Sequence, residues 1–217
     1  MSFSLNVIFS LTIGIGAIIS WIRFNKTDPA FFPFTLLLTT GLINEIAGIW
    51  LVYLGYSNAI CYNLFLLAES LLITWQFRKW GLFDNKATNY YFLQSAYICG
   101  WIIECVLSDE NRLFNSYFII GHSIIIVMMS IIQINRMLFS VSRHLLKNPI
   151  FLISMGMSIY FTYTVIVEAF WVYGLNQSIS FRLGIYEILS YINLFTNLLF
   201  AIATLCIPLK RQYIMQS

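Results

Sequence analysis

A chain of 217 residues with 59% hydrophobic and 10% charged side chains and a mean hydropathy of +0.79 is far from the roughly 25% charge of a soluble domain. Water is excluded as its main solvent. The length holds about seven helices of roughly 20 residues with short loops, and leaves no room for a separate soluble domain. The net charge of +3 is not read as a nucleic-acid signal, because the basic residues lie between apolar runs, where they act as topology signals.

In chain order, the first apolar run is Leu5 to Ile22. It has no basic segment before it and no small-residue cleavage site after it, so it is expected to stay as the first span. The second, Phe31 to Leu54, carries Asn44 and Glu45. The third, Ala59 to Trp75, carries Tyr62, Asn63 and Glu69 and is barely long enough to cross. In the fourth, Ala87 to Leu107, the spacing of Tyr90, Gln94, Tyr97, Trp101 and Glu104 makes one helical stripe that should line an interior. The fifth, Leu113 to Ile134, places Asn115, His122 and Gln133 near one line. In the sixth, Pro149 to Tyr173, Tyr160, Thr164, Glu168 and Trp171 share a wider face. In the seventh, Ile179 to Ile207, Arg182, Tyr186, Asn193 and Asn197 fall within about 60°, with Glu187 off to one side.

Cytoplasmic loops retain Lys and Arg. Here Arg23 and Lys26, then Arg78, Lys79 and Lys86, then Arg136, Arg143 and Lys147, then Lys210 and Arg211 fall in alternate connections and the tail. Those connections share one side, which puts the N-terminus outside and the C-terminus in the cytoplasm. The expected fold is all-α, one seven-helix integral bundle in the cell membrane.

Ionisable groups inside spans cost about 2.5 to 3.5 kcal/mol each on insertion scales and normally face the bundle interior. With this orientation nearly all of them lie in the outer half, and Glu69 is nearer the middle. They outline an outward-facing pocket of carboxylates, amides, Tyr and Trp, with Arg182 as its strong cation. For Asn44, Asn63, Asn193 and Asn197 the plainer role is interhelical hydrogen bonding. The carboxylates favour function, because in hydrocarbon each must be protonated or paired. For Arg182 the expected partner is Glu168, Glu45 or Glu187.

Several chemistries find no support. The seventh span has no Lys for a Schiff base, no nucleophile elbow or phosphate loop occurs, and His122 and His144 lie at different depths. No cofactor or metal is expected. A carboxylate-rich metal site around Glu45, Glu69, His122 and Glu168 has no ligand spacing behind it. Cys61 and Cys105 both fall near the outer surface, where a disulfide competes with the commoner unpaired state. The segment RMLFSVSRHLLKNP, Arg136 to Pro149, is basic and amphipathic and reads first as attraction to anionic lipid.

The stretches Leu42 to Phe83, Leu145 to Gly174 and Ser190 to Lys210 resemble a family of small bacterial seven-span membrane proteins. The residues that carry the resemblance are Asn44, Glu45, Tyr62, Asn63, Glu69, Tyr163, Glu168, Asn193 and Asn197. The resemblance implies the fold and membrane location, and partnership with signalling kinases. The ranked expectations are a sensor or receptor-like protein that binds a small ligand outside and signals to a cytoplasmic partner, then a small-molecule or proton-coupled transporter, then an intramembrane lipid-modifying enzyme. The lopsided placement of the polar groups ranks sensing first, because a carrier must expose its site to both sides.

Overall fold

The computed structural model describes residues 3–84, 87–107, 114–139, 145–173 and 178–209, without the side chains of Phe3, Ser4, Tyr173, Ile179, Ser180, Arg182 and Leu183. Helices α1 (Phe3–Leu11) and α2 (Ile13–Arg23) make one crossing, broken at Thr12. The Thr12 hydroxyl donates to the Phe9 carbonyl, a local bond that competes with the helix ladder. Then follow α3 (Phe32–Tyr53), α4 (Ala59–Lys79), α5 (Ala87–Leu107), α6 (Ser116–Phe139), α7 (Pro149–Tyr173) and α8 (Ile179–Cys206). Among the described residues seven helical segments are long and apolar enough to cross a membrane, and the chain is a multi-pass membrane protein. The third crossing runs four residues past Trp75 to Lys79, and the fifth ends at Phe139 rather than Ile134.

Local chemistry sets these boundaries. Pro33 and Pro149 sit in the first turns of α3 and α7, where a missing N–H costs nothing. Gly55 (φ 81°) and Gly81 (φ 79°) end α3 and α4 in the left-handed region. At the first, Tyr56 N–H donates to Leu51 O and Gly55 N–H to Val52 O. At the second, Leu82 N–H donates to Phe77 O and Gly81 N–H to Arg78 O. Both are the paired closure that satisfies orphan carbonyls at a helix C-terminus.

Nearest neighbours run α2, α3, α4, α6, α7, α8 and back to α2, a closed ring of six crossings. Helix α5 lies outside the ring against α4 and α6, and of its residues Tyr97 alone is fully buried. Small residues bring ring members together. A Cβ on Gly41 would stand 2.7 Å from Ile13, and one on Gly156 would stand 2.8 Å from Phe200. The main core, with Phe34, Leu38, Ile73, Phe77, Ile126 and Ile153, fills the ring in the half that carries the basic loops.

At that basic end the first and last crossings are tied. The Arg23 guanidinium donates to the carbonyls of Thr204, of Leu205 at 2.6 Å and of Ile207 at 3.2 Å, capping the C-terminus of α8. Beside it the Asp28 N–H donates to Pro208 O at 3.1 Å. The Gln76 side chain accepts from the Phe34 N–H and donates to Ala30 O, both at 2.8 Å, so it caps the start of α3 from α4. Arg136 donates to Gly81 O at 3.0 Å, and Arg78 lies over the Tyr90 ring at 4.3 Å. The thiols of Cys61, Cys99, Cys105 and Cys206 are free, and Cys105 Sγ accepts from Asn115 Nδ2 at 3.2 Å. The basic segment from Arg136 lies partly outside the described residues, as do Lys86, Arg143, Lys210 and Arg211.

Candidate functional site

Two adjoining cavities share Ser10, Glu45 and Asn193. The outer one, about 420 Å³, lies toward the end of the bundle where α1, α4 and α8 begin. Asn6, Asn44, Asn58, Tyr62, Tyr186 and Ser190 contribute its other polar walls. The inner one, about 70 Å³, reaches Glu69, Tyr160, Thr196 and Asn197 and rests on Leu37, Leu38, Ile73 and Met157. Together they form a polar tract from one end of the ring to mid-depth. The break in the first crossing shapes its wall: Asn197 Nδ2 donates to Thr12 Oγ1 at 3.1 Å and holds α1 and α2 against α8.

Carboxylates from three helices gather around two phenols. Glu69 and Glu168 both lie within electrostatic reach of Tyr62 and of Tyr160, and Glu45 lies within reach of Tyr160. Ser10 stands beside Glu45, and Ser116 beside Glu168. Behind Glu69, His122 Nε2 stands 3.9 Å from Glu69 Oε2, too far for a hydrogen bond. His122 is 2% exposed, its two ring nitrogens have no hydrogen-bond partner, and Phe118 and Phe161 pack edge-on against it. Among the described residues no three His, Cys, Asp or Glu side chains are placed to hold a metal ion.

Of the residues expected to form the pocket, Asn44, Glu45, Tyr62, Glu69, Tyr186, Asn193 and Asn197 line the tract. Others do different work. Asn63 joins three helices, since its carbonyl accepts from Trp101 Nε1 at 2.8 Å and its side chain accepts from the Asn115 N–H at 3.3 Å. Tyr163 donates to Ile185 O at 3.4 Å, linking α7 to α8. Trp171 packs against Tyr186 with ring centroids 5.7 Å apart and planes tilted by 58°. Tyr97 and His122 face a separate groove between α5 and α6. Glu168 and Glu187 are half-buried on α7 and α8. The pairing expected of Arg182 falls on a side chain outside those described.

The stripe on the fourth crossing faces inward and is divided: Gln94 and Trp101 turn to α4, while Tyr97 and Glu104 line the groove between α5 and α6. Gln94 donates to Leu71 O at 3.2 Å, and Trp101 reaches Asn63. Glu104 accepts from the backbone N–H groups of Tyr117, at 2.9 Å, and Phe118, so it caps α6 across the gap. Sequence reasoning missed Asn6 and Ser10. They stand four residues apart on one face of α1, a spacing that marks an inward polar pair.

Comparison with family models, with curated proteins and with solved structures finds no match.

Proposed function

We propose that this chain is a seven-helix membrane receptor or sensor. A small polar or amphipathic ligand enters the tract between α1, α3, α4 and α8, and the change passes to a partner at the basic, cytoplasmic end. The observation that carries this reading is the one-sidedness of the tract. It opens toward one end and stops at Glu69, and beneath it Ile73, Phe77, Phe34, Ile126 and Ile153 are packed with at most 1% exposure. A site closed by packed core suits reversible binding, whereas a carrier must open to both faces. Glu45 and Glu69 suit a ligand with a cationic or hydrogen-bond-donating group, and Asn44, Asn193 and Tyr186 suit its neutral polar part. Signalling then requires that the ligand prefer one of two ring arrangements, and the α2–α8 seam held by Asn197 and Thr12 is the element it touches.

One observation favours a proton-coupled carrier as the second reading: Glu69 and His122, 3.9 Å apart at mid-depth, can exchange a proton with little movement. Accessibility separates the two. In a variant with its four cysteines replaced, Asn193→Cys should react with a membrane-impermeant maleimide only from the side where α1 begins. Equal labelling in right-side-out and inside-out vesicles would establish alternating access and overturn the receptor reading. A metabolite screen by thermal shift should then find compounds that stabilise the parent and lose their effect on Glu45→Gln.

A further inference from the structure

The groove between α5 and α6 lies outside the ring and outside the tract. Its volume is about 500 Å³, within the range of about 300 to 1,000 Å³ usual for small-molecule sites. It runs along α5 from Ala96 to Leu107, about 16 Å at 1.5 Å per residue, or one leaflet of a hydrocarbon core about 30 Å thick. Two glycines face it, one from each helix. A Cβ on Gly121 would meet nothing within 4 Å, and one on Gly100 would meet only Phe118, at 3.8 Å. These glycines hold space open, in contrast to Gly41 and Gly156, whose missing side chains let helices touch. The residues at the mouth, Ile103, Leu107 and Tyr117, are 55%, 75% and 52% exposed, so an occupant arrives from the bilayer.

The groove is not uniformly apolar. His122 lines it, 2% exposed, with neither Nδ1 nor Nε2 hydrogen-bonded. A neutral imidazole offers one donor and one acceptor, and leaving both unmet away from water is costly. Glu69, on the neighbouring helix α4, stands 3.9 Å from His122 Nε2, beyond hydrogen-bond range, and Glu104, which also lines the groove, is engaged in capping α6.

We propose that the groove between α5 and α6 binds a membrane-dissolved, single-chain amphiphile whose hydroxyl or carbonyl oxygen hydrogen-bonds to His122 while its hydrocarbon chain fills the space left by Gly100 and Gly121. The proposal is independent of the ligand in the tract.

The test uses the whole chain in phospholipid nanodiscs and a long-chain fatty alcohol carrying a diazirine on its alkyl chain. After irradiation, labelled residues should fall within Ala96 to Leu107 and Tyr117 to Ile125, and excess unlabelled alcohol should suppress them. Gly121→Leu fills the groove and should reduce this labelling at least about fivefold, and Gly100→Leu should do the same. Whichever variant keeps the thermal unfolding profile of the parent decides. His122→Phe keeps the bulk and removes the hydrogen bond. It should weaken competition by the alcohol about three- to tenfold, the size of one neutral hydrogen bond, and leave competition by the alkane of equal length unchanged. Labelling spread evenly over the lipid-facing helices, or undiminished in a folded filling variant, would overturn the site. Equal competition by alcohol and alkane in the parent would overturn the role of His122.

Discussion

Gln76 and Gln133 are both fully buried inside the ring, yet only one has partners. Gln76 satisfies the Phe34 N–H and the Ala30 carbonyl, two backbone groups at a helix start. Both polar atoms of the Gln133 side chain are unpartnered. The same substitution therefore has opposite expected outcomes. Gln76→Leu should lower stability by about 1 to 3 kcal/mol, because it strands two buried backbone groups. Gln133→Leu should be neutral or stabilising, because it removes two unmet polar atoms. Thermal unfolding of both variants in one detergent checks this, and a Gln76→Leu protein as stable as its parent would refute the capping role. Neither outcome was legible in the sequence. With the third crossing read as ending at Trp75, Gln76 fell into a loop beside Arg78 and Lys79. Hydropathy registers what a residue is made of and carries no information about which backbone groups it satisfies. The tract residues were more legible, because Glu45, Glu69, Asn193 and Asn197 are polar groups in apolar surroundings and helical phase alone turns them inward. Phase could not say that Trp101 would donate its indole N–H to the Asn63 backbone carbonyl, or that the Asn63 side chain would accept from the Asn115 N–H.

Helices in this bundle approach as closely as their smallest residues allow. Gly156 sits where α7 meets α8, and an added Cβ there would stand 2.8 Å from Phe200 and 3.1 Å from Leu199. Gly156→Leu should destabilise by about 1 to 3 kcal/mol through overpacking. Gly121→Ala is the control. It meets nothing, and Ala is the better helix former by about 1 kcal/mol, so that variant should match or exceed its parent in thermal unfolding. Added Cβ atoms on Gly14, Gly16 and Gly48 would stand 3.4, 3.3 and 3.4 Å from their nearest neighbours, a looser fit than at Gly41 and Gly156. Existence and order of the seven crossings were readable from runs of apolar residues long enough to span. The displacement of α5 outside the ring was not. A loop from Trp80 to Lys86 or from Ser108 to Asn115 has the same length whether α5 stands between α4 and α6 or beside them, so only side-chain packing decides.

For the molecule as a whole, the charges sort by end. Arg23, Lys26, Arg78, Lys79, Arg136 and Lys147 lie at or beside the connections of one end, while Gly55 to Asn58 at the other carries no charge. If the alternating cations govern insertion, reporter fusions after Lys86 and Lys147 read cytoplasmic and fusions after Asn58 and Gln177 read external. A reversal at any of the four would turn the tract toward the cytoplasm and the proposed receptor inside out. The Arg23 clamp on α8 has a consequence for the order of assembly. Its partners, Thr204, Leu205 and Ile207, are 181 to 184 residues downstream, so at a synthesis rate of about 5 to 20 residues per second the first crossing waits roughly 10 to 40 s for them. Until then the face of α2 that α8 will cover is open to lipid or to insertion factors. The seam between the first crossing and α8 thus joins the described helices farthest apart in the chain, and membrane quality control has a long opportunity to act there.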